Sequence, residues 1–324
     1  MSKRESFEHD LARLTAIRAD PQQPGAADEL RRALAARSNL LTARAAEIVG
    51  EWALAGYVPE LVAAFERFLV DAVRRDPTCA AKVAIAEALN RLEVRDADLF
   101  RRGALHVQPE PIWGGQEDTA APLRAVCALG LARSDPPDTL LALAVLLADP
   151  EADARSGAAR AIAYAARPGG AALLWYKAHV GDAEPAVMFE CYSALLALEP
   201  EPAISLVARL AGGDDPAQAE AAVLALGSSR LPAALPLLIE LRATAADPGL
   251  RRTTLTAIAT LGNDEAFVFL LGLLTGGPPR DAADALSALG LFRDDERRRR
   301  KVERAARRRT DLPADPVPTP RPER

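Results

Sequence analysis

Three histidines (His9, His106, His179) and three cysteines (Cys79, Cys127, Cys191) are the chain's metal-ligand and thiol candidates. Zinc sites draw such residues from short fixed spacings, two cysteines separated by two residues or two histidines one helical turn apart. None of the six stands in such a pair, and there is no HExxH. Serine catalysis would need a GxSxG turn. Ser156-Gly157 falls instead inside a helical run, where the hydroxyl is expected on the helix surface. A phosphate loop of the GxxxxGK[ST] type is missing, and Gly114-Gly115 and Gly212-Gly213 read as turns. The expectation is a protein without a catalytic centre, resident metal or cofactor.

Three segments carry residues suited to binding. In HVQPEPIWGGQED (106–118), Trp113 stands between Pro111 and Gly114-Gly115. A tryptophan on a loop held by a rigid scaffold is a frequent anchor for a partner. The plainer expectation, favoured here, is that Trp113 tucks into the groove between the second and third repeats described below and pins a long connection, with Asp118 capping the next helix. In the second segment, Trp175, Tyr176, Lys177 and His179 lie on a predicted helix over 169–180 and could face a partner; the alternative is Trp175 packed inward and Lys177 solvated. The third is RDDERRRRKVERAARRR (293–309), where Arg297, Arg298, Arg299, Arg300, Lys301, Arg304, Arg307, Arg308 and Arg309 put positive charge around a helix. Such a helix can neutralise phosphates, dock on an acidic protein surface, or simply cap the fold in water. It lacks aromatics for base stacking and an apolar face for a membrane.

Charge narrows the choice. The net charge is −5, yet residues 293–309 hold ten basic and four acidic side chains, a local +6 that leaves −11 elsewhere. An acidic body is a poor general surface for nucleic acid. Cysteines far apart in sequence suit reduced, buried thiols in the cytoplasm. The start, MSKRESFEHDLARL, has no apolar stretch of signal-peptide type. The most hydrophobic run, Thr139 to Ala148, is about half of the roughly 20 residues a membrane span needs, and is expected as a buried helix.

The elements that position these residues repeat. Runs of Ala and Leu end in a small or apolar residue at Gly50, Asn90, Gly130, Ala163, Leu196, Gly227, Gly262 and Gly290, at steps of 40, 40, 33, 33, 31, 35 and 28 residues. That period predicts a stacked helical solenoid of about eight two-helix units. The first helix of each unit carries the small-residue pattern, as in ARAAEIVG (43–50) and EAAVLALG (220–227). The second follows a short turn, as in residues 231–245, with Leu235, Leu238 and Leu241 on one face, and 264–276, with Phe267, Leu270 and Leu274. Asp-Pro at 76, 135, 149, 215 and 247 is expected to cap helix starts, and Gly130, Gly227, Gly262 and Gly290 to form left-handed helix ends. Aromatics are only 5% and strict alternation is rare, so strands are not expected. The predicted organisation is capping helices over 1–37, a solenoid over 38–291, a basic helix over 292–310 and a disordered proline-rich tail over 311–324.

The pattern resembles HEAT repeats of the short bacterial type also found in phycobilin lyase proteins. DPEADARSGAARAIAYA (149–165) and DPGLRRTTLTAIATLG (247–262) carry the resemblance best, each with an Asp-Pro start, an arginine in the first turns (Arg155, Arg251) and an Ala/Leu core. It implies an all-α, right-handed superhelical fold and an extended concave surface lined by second helices. The function expected from it is a non-catalytic scaffold or adaptor for an unidentified protein partner, working as a monomer away from membranes. The same resemblance implies two other functions: an enzyme adaptor or lyase-like protein, and, as in HEAT-like DNA glycosylases, DNA binding. The acidic body limits the last to weak contact through the arginine helix.

Overall fold

The computed structural model describes residues 3–312; the tail expected to be disordered lies, from 313 on, outside the described residues. The chain forms two compact units, 1–173 and 174–324. In the first, α1 (Lys3–Ala19) and α2 (Ala26–Leu34) pack on the first of a series of helix pairs. These pairs are α3 (Asn39–Glu51) with α4 (Val58–Leu69), α6 (Ala80–Arg91) with α7 (Ala97–Ala104), and α8 (Ala121–Ser134) with α9 (Thr139–Leu147), followed by α10 (Ala152–Ala165). A short α5 (Ala72–Arg75) lies between the first and second pairs. The next helix, α11 (Gly170–Val180), begins just before the boundary. The second unit pairs α12 (Pro185–Leu198) with α13 (Pro200–Ala211), α14 (Pro216–Ser228) with α15 (Ala234–Thr244), α16 (Pro248–Leu261) with α17 (Asp264–Gly276), and α18 (Pro279–Leu289) with α19 (Glu296–Ala306). All eight residues that mark the sequence period lie at or near the ends of first helices, so the period matches the structural repeat.

First helices stack on first helices, α3–α6–α8–α10 in one unit and α12–α14–α16–α18 in the other. They are buried nearly all round, as on α14 from Ala219 to Gly227. Second helices bury only a stripe, such as Ala266, Phe267, Leu270 and Leu274 on α17. On α15 only Leu238 of the expected leucine face is buried, while Leu235 and Leu241 are half-buried. The apolar run in α9 buries Leu143, Leu146 and Leu147 but leaves Leu141 and Val145 exposed.

The glycines serve packing more than helix termination. A Cβ on Gly227 would lie 2.6 Å from the Ala257 Cα of α16, one on Gly50 would lie 3.0 Å from the Ala88 Cα of α6, and Gly157 of α10 meets the Ala125 backbone of α8 as closely. Gly130 faces the Phe100 ring, four residues before its helix ends. Of the four glycines expected as left-handed ends only Gly262 is one, at φ +73°. Gly290 is right-handed at φ −57°. Non-glycine residues take the left-handed corners instead, among them Asp135 (φ 53°), Ala166 (φ 46°) and Arg230 (φ 56°). An L-residue there costs roughly 1–2 kcal/mol.

The Asp-Pro expectation holds at three sites, the first being Asp76, which accepts from the Ala81 and Lys82 N–H groups in the first turn of α6. Asp215 accepts from the Ala217 and Gln218 N–H groups, and Asp247 from Leu250 N–H at 2.6 Å. Elsewhere the aspartates do other work. Asp135 ends α8 and Asp149 turns toward an arginine. Helix α19, expected as a separate segment, is the second helix of the eighth pair; Val302, Ala305 and Ala306 are buried where it packs against α17 and α18. One local departure from helix occurs in residues 106–118, where the segment read as irregular folds into a β-hairpin.

Candidate protein-interaction site

The connection from α7 to α8 is built around β1 (Pro109–Ile112) and β2 (Gly115–Asp118), paired antiparallel with Ile112 opposite Gly115 and Pro109 opposite Asp118. Trp113 and Gly114 form the turn, and Gly114 sits at φ +90°, where a side chain would be strained. This geometry puts Trp113 at the tip, fully exposed, beside exposed Ile112. The expectation that Trp113 tucks between repeats is therefore corrected. The two-residue turn directs it away from the body, and what pins the connection is the polar base of the hairpin.

At that base Gln108 is buried, and its amide donates to the Asp76 carbonyl oxygen (2.8 Å) and to the Glu110 carboxylate (2.7 Å). Glu110 also accepts from Thr78 N–H and from the Thr119 hydroxyl, each at 2.7 Å. Burial pushes the Glu110 carboxyl up, but these hydrogen bonds outweigh it and hold the group below its ordinary value of 4.5. Asp118, expected to cap α8, instead bridges the turn before it, accepting from Ala120 N–H (3.0 Å) and from Gln108 N–H (2.9 Å), while Ala120 holds the N-cap position and the helix has no side-chain cap. The opposing push of burial is again outweighed, here by those N–H groups and Arg124, and its carboxyl is held low.

Arg124, with a side chain only 3% exposed, joins the hairpin to the next repeat. It donates to Asp118 (2.6 Å), to the His106 carbonyl oxygen (2.9 Å), and through two nitrogens to both oxygens of Asp149 (2.9 Å each). On the other side Asp76 and Lys82 form a fully buried ion pair at 2.8 Å. Asp76 also accepts from Ala81 N–H (2.8 Å), Lys82 N–H (3.1 Å) and the Asn39 amide (3.1 Å). Burial pushes the His106 imidazole below its usual 6.5. Asp76, Lys82, Gln108, Glu110, Thr119, Arg124 and Asp149 were not foreseen as a group. The one local signal was the arrangement of Gln108 and Glu110 before, and Glu117, Asp118 and Thr119 after, a Trp-Gly-Gly turn.

The second candidate patch is partly tied up. Trp175 is half-buried and its indole N–H donates to Glu199 at 2.8 Å. Lys177 pairs with Asp182 at 2.7 Å, and His179 bonds the Trp175 carbonyl oxygen through Nδ1 at 2.8 Å. Tyr176 and Val180 are the side chains this helix exposes most among its large apolar residues. On α19 several arginines serve the fold. Arg298 bonds the Gly262 carbonyl oxygen and Asp264 and lies over the Phe292 ring, Arg299 pairs with Glu303, and Arg300 with Glu296. Arg309 bonds the Leu274 and Gly277 carbonyl oxygens and Asp311. Arg297, Arg304, Arg307 and Arg308 are exposed.

The three thiols are free and buried, and burial raises Cys79 and Cys191 to about 12 and Cys127 further. Thiolate chemistry is thereby disfavoured at all three. Among the described residues no group of three or more His, Cys, Asp or Glu could hold a metal ion, and no helix is long and apolar enough to cross a membrane.

A search of curated proteins finds no match. Among solved structures the chain is similar to the complex of CpcE and CpcF of phycocyanin lyase from Nostoc sp. PCC7120, at 17% identity over 78% of this chain and 94% of that one, with a TM-score of 0.42. It is also similar to human deoxyhypusine hydroxylase in complex with glycerol, at 19% identity over 77% and 88% of the two chains, with a TM-score of 0.31. Neither likeness is close enough to carry an argument about function. Residues 204–290, from α13 through α18, match the family model of HEAT repeats. With that match set on helices packed in sequential pairs, residues 204–290 are HEAT repeats within an all-α fold of HEAT-like solenoid type.

Proposed function

We propose that the protein is a non-catalytic scaffold that binds a protein partner through the exposed faces of its second helices, the helices expected to line a concave surface. The observation that carries this reading is the exposed apolar residues on those helices. Leu141 and Val145 on α9, and Tyr176 and Val180 on α11, are each spaced one helical turn apart, and each is more than half exposed. In the second unit, Leu235 and Ile239 of α15 with Val268 and Phe269 of α17 line an apolar groove of about 370 Å³. Scattered single apolar residues need no explanation, but pairs one turn apart on second helices, found within each unit, suit a contact surface.

The test is affinity capture from source cells with nuclease present, comparing the parent with Leu141→Glu/Val145→Glu and Ile239→Glu/Val268→Glu. A protein held by the parent and lost from either variant, with helicity unchanged, supports the reading. Capture undiminished by both variants refutes it. A lyase-like role would instead show as visible absorbance from a bound tetrapyrrole.

A further inference from the structure

We propose that the β1–β2 hairpin is a docking arm, and that Trp113 enters an apolar socket on a partner protein whose rim carries lysine or arginine. The proposal deepens the scaffold reading and rests on it for the class of partner. Trp113 is fully exposed, so packing against its own fold does not account for it. Tryptophan is the side chain most often found at the energetic centre of protein interfaces. The arm that carries it is fixed at the base: Glu110 takes three side-chain or backbone donors, and Asp118 is held by Arg124 and two N–H groups. A preformed arm gives up little conformational freedom on docking.

Strand addition is excluded along the outer edge of β1. Thr119 N–H donates to the Gln108 carbonyl oxygen, which makes 108/119 a hydrogen-bonded pair. Antiparallel pairs alternate, so 110/117 and 112/115 are also bonded and residues 109 and 111 face outward. Both are proline and offer no N–H. Along that edge recognition is left to side chains, of which Trp113 at the tip is the largest and most exposed.

Charge identifies the rim. Between Arg102 and Arg124 there is no lysine or arginine, whereas the hairpin carries Glu110, Glu117 and Asp118. Arg124 is occupied by Asp118 and Asp149, and Glu117 is exposed on β2. An acidic arm with an aromatic tip fits a basic-rimmed pocket and is repelled by an anionic lipid surface.

The experiment places a benzophenone amino acid at Gln116, beside the tip, in the full chain and irradiates source cells. It is repeated with Trp113→Ala and with Glu117→Lys, and a second photoprobe at Leu141 on α9 reports the second-helix surface. The expected result is one protein adduct at 116 whose cross-linked peptide borders an apolar depression flanked by Lys or Arg. Its yield falls about 30-fold or more with Trp113→Ala, the scale of an interface hot spot, and several-fold with Glu117→Lys. Melting temperature stays unchanged, because Trp113 does not pack on the fold. An adduct at 116 to lipid or to a second copy of this chain overturns the proposal, as does a yield insensitive to Trp113→Ala. Adducts at Leu141 with none at 116 sink the arm and leave the scaffold standing. The reverse pattern keeps the arm and removes the second-helix surface, and no adduct at either position refutes both.

Discussion

Gly227→Ala tests the claim that glycine sets the spacing of the first helices. In an ordinary exposed helix this change stabilises by roughly 1 kcal/mol, because alanine is the better helix former. Here the new Cβ would stand 2.6 Å from both the Cα and the carbonyl oxygen of Ala257 and 2.8 Å from its Cβ, where ordinary contact begins at 3.4 Å. The obstruction is backbone, so α14 and α16 must separate, and every interface in the stack on either side of them feels the shift. Overpacking of this kind costs about 1–3 kcal/mol, and more when the neighbour cannot yield. Subtracting the propensity gain leaves a net loss of about 0–2 kcal/mol, toward the upper end because the obstruction is backbone. Gly272 supplies the control: it lies in α17, and a Cβ added there would meet nothing within 4 Å, so Gly272→Ala gains about 0.5–1 kcal/mol. Urea unfolding followed by helical circular dichroism measures both against the parent. A Gly227→Ala protein as stable as Gly272→Ala would refute the packing argument outright.

Ala166→Gly should stabilise by about 0.5–1 kcal/mol in the same assay, since the residue is exposed and left-handed at φ 46°, and glycine removes most of that strain. Asp76→Ala should cost about 3–5 kcal/mol by leaving the Lys82 ammonium buried without its carboxylate, and adding Lys82→Met should recover much of the loss. Acidification should loosen the hairpin base. His106 has a folded pKa below its unfolded 6.5, so the unfolded state binds more protons and stability falls as pH drops below about 6.5. Glu110 and Asp118 are also depressed, so their contribution, complete above 4.5 and 3.8, is lost as pH falls through their lower folded values. Amide protection factors for 108–119 should therefore decline monotonically from pH 7 to pH 3; a rise anywhere in that window would contradict the assigned environments.

The repeat was legible because it is written in small residues at a regular period, and the second helix over 264–276 because Phe267, Leu270 and Leu274 recur on one face after a short turn. What single residues do within the repeat was less legible. Gly130 and Gly227 follow helical runs, which in sequence looks like termination; only the facing Phe100 and Ala257 reveal that they mark close approach. Asp-Pro had the same ambiguity, since Asp149 spends its oxygens on Arg124, 25 residues away. For the Arg-rich helix the sequence left a cap, a phosphate-binding surface and an acidic-partner surface open, because the groups its arginines bond, Asp264 and the carbonyl oxygens of residues 262, 274 and 277, are far off in sequence. Trp113 was misjudged because a long loop usually folds back on its scaffold, whereas here alternating prolines and a two-residue turn carry it outward.

Stacked repeats ordinarily interact only with their immediate neighbours, so such arrays tend to fray from their ends one repeat at a time. The polar chain under the hairpin runs against that tendency. It passes from Asn39 at the start of α3, through Asp76 and Lys82, to Gln108 and Glu110, and from Asp118 and Arg124 to Asp149 just before α10. Four consecutive first helices are thereby clasped along one edge. Opening any one of these repeats breaks hydrogen bonds belonging to the others, so the N-terminal unit is expected to melt as a single cooperative block.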